Sequence, residues 1–381
     1  MKLKRRFFLW LIYFAFLCCL LPSAIYIYKN PAYNFDMLGY MALIVKMDKP
    51  HTIDEIHDIT YSTARQTIPA DDYKKLTETS SYRKRFESDP SEFSKVLPNY
   101  IVKPLYILFC WLFYKGGSSL TMSTVMPSII SYLLLGLFLF HWFRKYLHTA
   151  FAYACAALIM FSFFTTTIAR LSTPDCLSAL FLFISMYFIL EKKNLTLMSL
   201  FFLLAIFTRL DNIITCYFII SFLTFSKKWR MIDSKRYFLM LAILAIAYIT
   251  IVLPVKEFGW NIFFYSEYAK HIDYSRDFDQ PLTILSYFSM VYSKLVTAFV
   301  STHFTFFLFL GLLILFTKKF SLKTLSFDQA FLLVLGAIGL FKFLLLPDLS
   351  DRFYLGFYLI ITILLIRKLF SKISIVGNEG R

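Results

Sequence analysis

Residues 120–143 read LTMSTVMPSIISYLLLGLFLFHWF, a run with no aspartate, glutamate, lysine or arginine. As a helix rising 1.5 Å per residue it covers about 36 Å. That exceeds the roughly 30 Å hydrocarbon core of a bilayer, so lipid is its natural solvent. Residues 295–316, LVTAFVSTHFTFFLFLGLLILF, make a second run of the same kind. Working outward, the 381 residues are 58% hydrophobic, 20% aromatic and only 17% charged, with a mean hydropathy of +0.62. This composition excludes an ordinary soluble domain and predicts an all-α polytopic membrane protein.

The formal charge of +16 raises the question of an anionic partner. Its distribution answers it: residues 29–103 carry 11 basic and 11 acidic side chains, whereas the short segments assigned below to the cytoplasm carry 20 basic and 4 acidic. The surplus is a positive-inside signal, which argues against nucleic acid as a partner. The six cysteines (Cys18, Cys19, Cys110, Cys155, Cys176 and Cys216) lie in or beside apolar runs without CxxC spacing and read as packing residues. The N-terminal stretch is longer and bulkier than a typical signal h-region, and Pro22-Ser23-Ala24 is a poor cleavage site, so it reads as a retained first span.

With Lys2, Lys4, Arg5 and Arg6 holding the N-terminus inside, residues 7–28 run outward. Asp36, in NPAYNFDMLGYMA, then emerges on the external face. Residues 29–119 form an external first loop, inserted between spans 1 and 2 of a single transmembrane domain, 1–381. Signals at Thr52, Pro69, Pro90 and Pro98 predict short helices in it. Residues 102–114 hold roughly a dozen apolar positions, too few to cross, and predict a helix lying along the membrane. Later spans are expected at residues 120–143, 151–168, 177–190, 195–207, 213–225, 237–255, 295–316, 327–346 and 353–366. That makes ten spans with both termini cytoplasmic, and basic turns at Arg144-Lys145, Lys192-Lys193, Lys318-Lys319 and Arg367-Lys368.

This threading gathers ARLSTPD (169–175), TRLDN (208–212), SEYAKHIDYSRDFDQP (266–281) and PDLSDRF (347–353) on the face that holds Asp36. The apolar runs flanking TRLDN cover only about 20 Å each, so Arg209 and Asp211 are expected below the outer surface. Ionisable groups at that depth are functional candidates. Arg209 with Asp211, and Arg352 with Asp348 or Asp351, also read as ion pairs closing tight turns, and Lys103 as a snorkelling interfacial cation. Tyr40, Tyr265, Tyr268 and Tyr274 also suit an interfacial belt. His51, His57, His271 and His303 lack metal-ligand spacing.

At these residues the chain resembles the GT-C class of integral-membrane glycosyltransferases, in its protein O-mannosyltransferase and aminoarabinose-transferase branch. The resemblance is architectural over the whole chain. It rests at motif level on Asp36 in FDMLGY after the first span, Lys103-Pro104 opening a membrane-surface helix, Asp175 in STPD above the fourth span, and Arg352-Phe353-Tyr354 before the last helix. It implies transfer of a sugar from a polyprenyl-phosphate carrier to an acceptor hydroxyl of a glycan, lipid or protein, at the periplasmic face of a bacterial inner membrane. Asp36 and Asp175 would be the catalytic carboxylates. Arg170, Arg209, Arg352 and Lys103 would face the donor phosphate, and Tyr40, Asp211 and Tyr354 would line the substrate pocket. As base on the acceptor hydroxyl, Asp36 is expected among apolar neighbours that raise its pKa. Met37 stands where many relatives carry a second acid, so no cofactor is expected and a divalent metal has no support in the sequence.

Two other readings stay open at this level. A surface-polysaccharide polymerase or ligase also has about ten spans, but it usually places arginines on two large external loops. A lipid or solute transporter places its site near the midplane, often in repeated halves, and no internal repeat is visible here.

Overall fold

The computed structural model describes residues 2–255, 283–316 and 324–370, the first five as backbone. Segment 266–281 and the Lys318-Lys319 turn lie outside them. Every regular element described is helical; the single extended contact is an isolated bridge between Ala32 and Leu171.

The chain opens with α1 (Lys2–Lys29) and continues through α2 (Asp36–Asp48), α3 (Ile53–Thr67), α4 (Ala70–Thr77), α5 (Ser81–Ser88), α6 (Pro90–Ser94), α7 (Pro98–Ile101) and α8 (Pro104–Lys115). The helix starts sit at the punctuating residues. Thr52 caps α3 in a reciprocal capping box with Glu55, Pro69 immediately precedes α4, and Pro90 and Pro98 occupy first turns. Between residues 37 and 45, α2 is buried throughout, at the centre of a core that includes Tyr61, Phe93, Tyr100 and Tyr106. Gly39 allows this packing: a Cβ there would stand 2.4 Å from the Tyr100 ring.

The remaining helices are α9 (Leu120–Phe143), α10 (Thr149–Phe161), α11 (Phe163–Ala169), α12 (Asp175–Tyr187, continued by a π turn at Phe188–Lys192), α13 (Leu195–Thr208), α14 (Asn212–Phe225), α15 (Ser234–Val252), α16 (Ile284–Ser301), α17 (Phe304–Phe316), α18 (Phe327–Leu345) and α19 (Asp351–Phe370). Five are long and apolar enough to cross a bilayer: α1 over Phe7–Lys29, α9, α15, α18 and α19. Three bent pairs, α6–α7 with α8, α10 with α11, and α16 with α17, raise the number to eight if each is one span. The protein therefore has the helices of a multi-pass membrane protein. α13 and α14 have 14 residues each, about 21 Å, and fall short of a full crossing.

Two expected continuous spans are broken. Residues 151–168 bend by 59° at Ser162, where the hydroxyls of Ser162 and Thr165 turn back onto the Ile159 carbonyl. Residues 295–316 bend by 84°, and their first helix begins earlier, at Ile284. Two caps meet there: the Thr302 hydroxyl accepts from the Phe304 backbone N–H at 3.2 Å, and the Asp351 carboxylate accepts from the His303 backbone N–H at 2.9 Å and lies 2.7 Å from its Nδ1. A helix start at Phe304 is thereby stabilised inside a run that is apolar on both sides.

Candidate functional site

The ends of α1 and α11 are tied together first. The Ala32 N–H donates to the Arg170 carbonyl at 2.9 Å, and the Arg170 Nε donates to the Asn30 carbonyl at 2.5 Å. The loop from Leu171 to Pro174 is held by hydroxyls of α9. Ser128 reaches the Leu171 and Thr173 carbonyls at 3.0 Å, and Thr124 reaches the Ser172 hydroxyl at 3.0 Å. Asp36 and Asp175 each follow four residues beyond the bridged pair, so one local lock places both. Each carboxylate stands in the first turn of a helix, α2 or α12, where the positive end of the helix dipole favours its charge.

A cavity of about 610 Å³ lies between them. Seven of the nine anticipated residues line it: Asp36, Lys103, Asp175, Arg209, Asp211, Arg352 and Tyr354. Asp36 accepts from three donors: Arg352 Nη1 at 3.1 Å, the Asn34 amide at 3.2 Å and the Tyr100 hydroxyl at 3.3 Å. This corrects the expected apolar setting. The hydrophobic residues after Asp36 in sequence turn into the α2 core and leave its carboxylate facing polar groups.

Asp175 is buried, with one carboxylate oxygen bonded to Arg209 and the other, Oδ2, without a partner among the described residues. Arg209 also donates through Nε to Asp211 at 2.9 Å, and Asp211 pairs in turn with Lys342. The result is an alternating chain of four charges, Asp175, Arg209, Asp211 and Lys342, drawn from α12, the turn between α13 and α14, and α18. The ion pair within the TRLDN turn thus exists, and it belongs to a larger network. Asn212 anchors that turn by donating to the Ser178 hydroxyl and the Ala205 carbonyl, both at 2.8 Å. The guanidiniums of Arg209 and Arg352 both lie against the Phe353 ring, at 4.4 and 4.7 Å.

Lys103 makes no ion pair among the described residues. Its ammonium stands over the rings of Tyr100 and Tyr40 at 5.1 and 5.4 Å. The lining carries five basic side chains (Arg83, Lys103, Arg209, Lys342, Arg352) against four acidic ones (Asp36, Asp175, Asp211, Asp348). The surplus is positive, and with Asp36, Asp175 and Asp211 already engaged, Lys103 remains available to an anion.

Two anticipated residues stand elsewhere. Arg170 serves the α1–α11 junction, with its guanidinium 5.6 Å from the Tyr26 ring, and does not line the cavity. Tyr40 lies beneath Lys103 in the α2 core, fully buried against Tyr100 and Tyr106.

Sequence reasoning missed Lys342, Arg83, Asn34 and Asn99. Lys342 was legible: it is a single cation inside the apolar stretch AIGLFKFLLL, and such residues are functional candidates by position alone. Arg83, one of several charges in a polar segment, carried no comparable signal. Comparison of the chain with protein families, with curated proteins and with solved structures finds no match.

Proposed function

We propose that this protein is a membrane glycosyltransferase that moves a sugar from a polyprenyl-phosphate-linked donor to an acceptor hydroxyl on the external face of a bacterial inner membrane. In this reading ten segments cross the bilayer, both termini are cytoplasmic, and α2–α8 form an external cap. The observation that carries it is the composition of one cavity: two carboxylates at helix starts, an unpaired lysine, two arginines, and walls of two different characters.

One wall suits a lipid. Ile213, Ile214, Tyr248, Leu345 and Leu346 line the cavity from α14, α15 and the end of α18, elements that a polyprenyl chain reaches sideways from the bilayer. Another part of the lining suits a sugar: the mutually packed rings of Phe35, Tyr82 and Phe86, together with Asn34 and Asn99, whose side-chain carbonyl oxygens are buried without partners among the described residues. Aromatic faces and amide acceptors are the groups that pack against and bond a polyhydroxylated ring.

The reaction follows. The acceptor O–H gives its proton to the Asp36 carboxylate as its oxygen bonds to the anomeric carbon. The bond from that carbon to the phosphate oxygen breaks with its electron pair, releasing polyprenyl phosphate. Lys103 and Arg352 stabilise the charge that develops on phosphate. Arg209, committed to two carboxylates, holds Asp175 in position, and the free Oδ2 of Asp175 accepts from a substrate hydroxyl.

Mass spectrometry of envelope glycans from a deletion strain and its parent tests the assignment. Loss of one sugar residue is expected and names the donor sugar. Identical glycans, together with no transfer by the purified protein from any polyprenyl-phosphate sugar, overturn it.

A further inference from the structure

A second groove lies at the far end of α9 from the candidate site, where the last turn of α9 meets the early turns of α1. It holds about 620 Å³ and is lined by Leu9, Trp10, Tyr13, His141, Arg144 and Lys145. Three of these polar side chains are already engaged. Tyr13 and His141 are bonded at 2.7 Å, with Tyr187 on the other ring nitrogen at 3.2 Å, and Lys145 is paired with Glu191.

Arg144 is different. Its guanidinium lies over the Tyr13 and Phe140 rings at 5.3 and 5.6 Å, and it has no carboxylate or hydrogen-bond partner among the described residues. Its Nε is buried and unsatisfied. A half-buried guanidinium held flat on aromatic rings keeps its N–H fork directed at whatever enters the groove. A buried donor without an acceptor calls for a ligand that supplies one.

The surroundings identify the ligand class. Along α1, Phe7, Trp10, Leu11 and Phe14 are all more than half exposed, forming an apolar stripe that continues from the groove. A ligand anionic at one end and hydrocarbon along its length fits both parts. Trp10 at the mouth is the residue type that sits at headgroup level. We propose that this groove binds one anionic phospholipid, with the phosphodiester on Arg144 and an acyl chain along the exposed face of α1. This site is separate from the cavity at Asp36 and does not depend on the activity proposed for it.

The full-length protein, purified in detergent and given equal amounts of phosphatidylglycerol and phosphatidylcholine, tests this by native mass spectrometry. Retention of phosphatidylglycerol is expected, falling about fivefold in Arg144→Gln, the effect of one interfacial cation. Lys235→Gln, an exposed cation at the start of α15, should leave it unchanged. Equal retention of the two lipids, or undiminished retention in Arg144→Gln, overturns the proposal. Displacement of the lipid by millimolar glycerol phosphate also overturns it, because the source would then be a free phosphate.

A second readout serves if Arg144→Gln fails to fold. Brominated phosphatidylglycerol should quench the fluorescence that disappears in Trp10→Phe more strongly than brominated phosphatidylcholine does. Equal quenching counts against a specific site.

Discussion

The guanidinium of Arg352 lies 3.1 Å from the carboxylate of Asp36, a contact that closes 316 positions of chain. Asp36 opens α2 and Arg352 stands in the first turn of α19, so the first and last parts of the described fold meet at one ion pair. Both side chains remain about 30% exposed, which leaves the pair accessible from the cavity while orienting the carboxylate.

Replacing Asp36 with Asn keeps the shape and removes the base. Turnover should fall by about two to four orders of magnitude. Stability should change by no more than about 1 kcal/mol, since the pair with Arg352 is partly solvated. Transfer rate and melting temperature of the purified variant decide this, and wild-type turnover would remove Asp36 from the chemistry.

The cations should separate into two classes. Arg352→Lys and Lys103→Gln are predicted to raise the donor KM about tenfold, as expected for a lost charge-assisted contact to phosphate. Arg209→Lys should instead lower stability by about 3 kcal/mol, because Asp175 or Asp211 loses a buried partner. Arg230→Lys, on an exposed turn, is the control. Unchanged donor KM in both Arg352→Lys and Lys103→Gln would leave the phosphate site unassigned.

The chain of charges from Asp175 to Lys342 predicts non-additivity. Lys342→Met and Asp211→Asn should each cost stability, and the double variant less than their sum, by roughly 0.5–3 kcal/mol. Denaturation midpoints of the four proteins measure the coupling. Strict additivity would mean that Lys342 and Asp211 do not interact in solution.

Gly39 offers a test through packing. Gly39→Ala drives a methyl to 2.4 Å from the buried Tyr100 ring and should cost about 1–3 kcal/mol. Because Tyr100 also bonds Asp36, turnover should drop with it. Gly336→Ala, where a Cβ meets nothing within 4 Å, should be neutral or slightly stabilising, since alanine is favoured over glycine inside a helix.

The orientation proposed for the bilayer predicts that a cysteine at Ser88 reacts with an impermeant thiol reagent in intact cells, while one at Ser234 does not. Both positions are exposed in the fold. Labelling at Ser234 from outside would invert the threading and move the site to the cytoplasmic face.

Much of this was legible in the chain, and the exceptions are physically instructive. The run at 120–143 announced lipid as solvent, and Thr52, Pro90 and Pro98 announced helix starts, because transfer energies and capping are properties of a few adjacent residues. The break at Thr302 was hidden. No glycine or proline marks it, the local cap is the single hydroxyl of Thr302, and the second arrives at His303 from Asp351, 48 positions later. Arg170 was misplaced for a related reason: its sequence neighbourhood resembles those of the other arginines, and only the bridge between Ala32 and Leu171 turns it toward Asn30.

The amino-acid sequence by itself determined that the chain is helical, that several helices suit a bilayer, and that Asp36, Asp175, Arg209 and Arg352 lie outside the apolar runs. Each follows from hydrophobic length and local backbone preference. Beyond the Arg209–Asp211 pair within its own turn, tertiary structure alone decided the partners: Arg352 with Asp36, Arg209 with Asp175, Lys342 recruited from the interior of α18, and Lys103 left over aromatic rings. The reason is that charges of opposite sign attract without regard to sequence position. Which ones meet is set by the packing of the helices that carry them, and that packing depends on the shapes of two cores built from residues far apart in the chain.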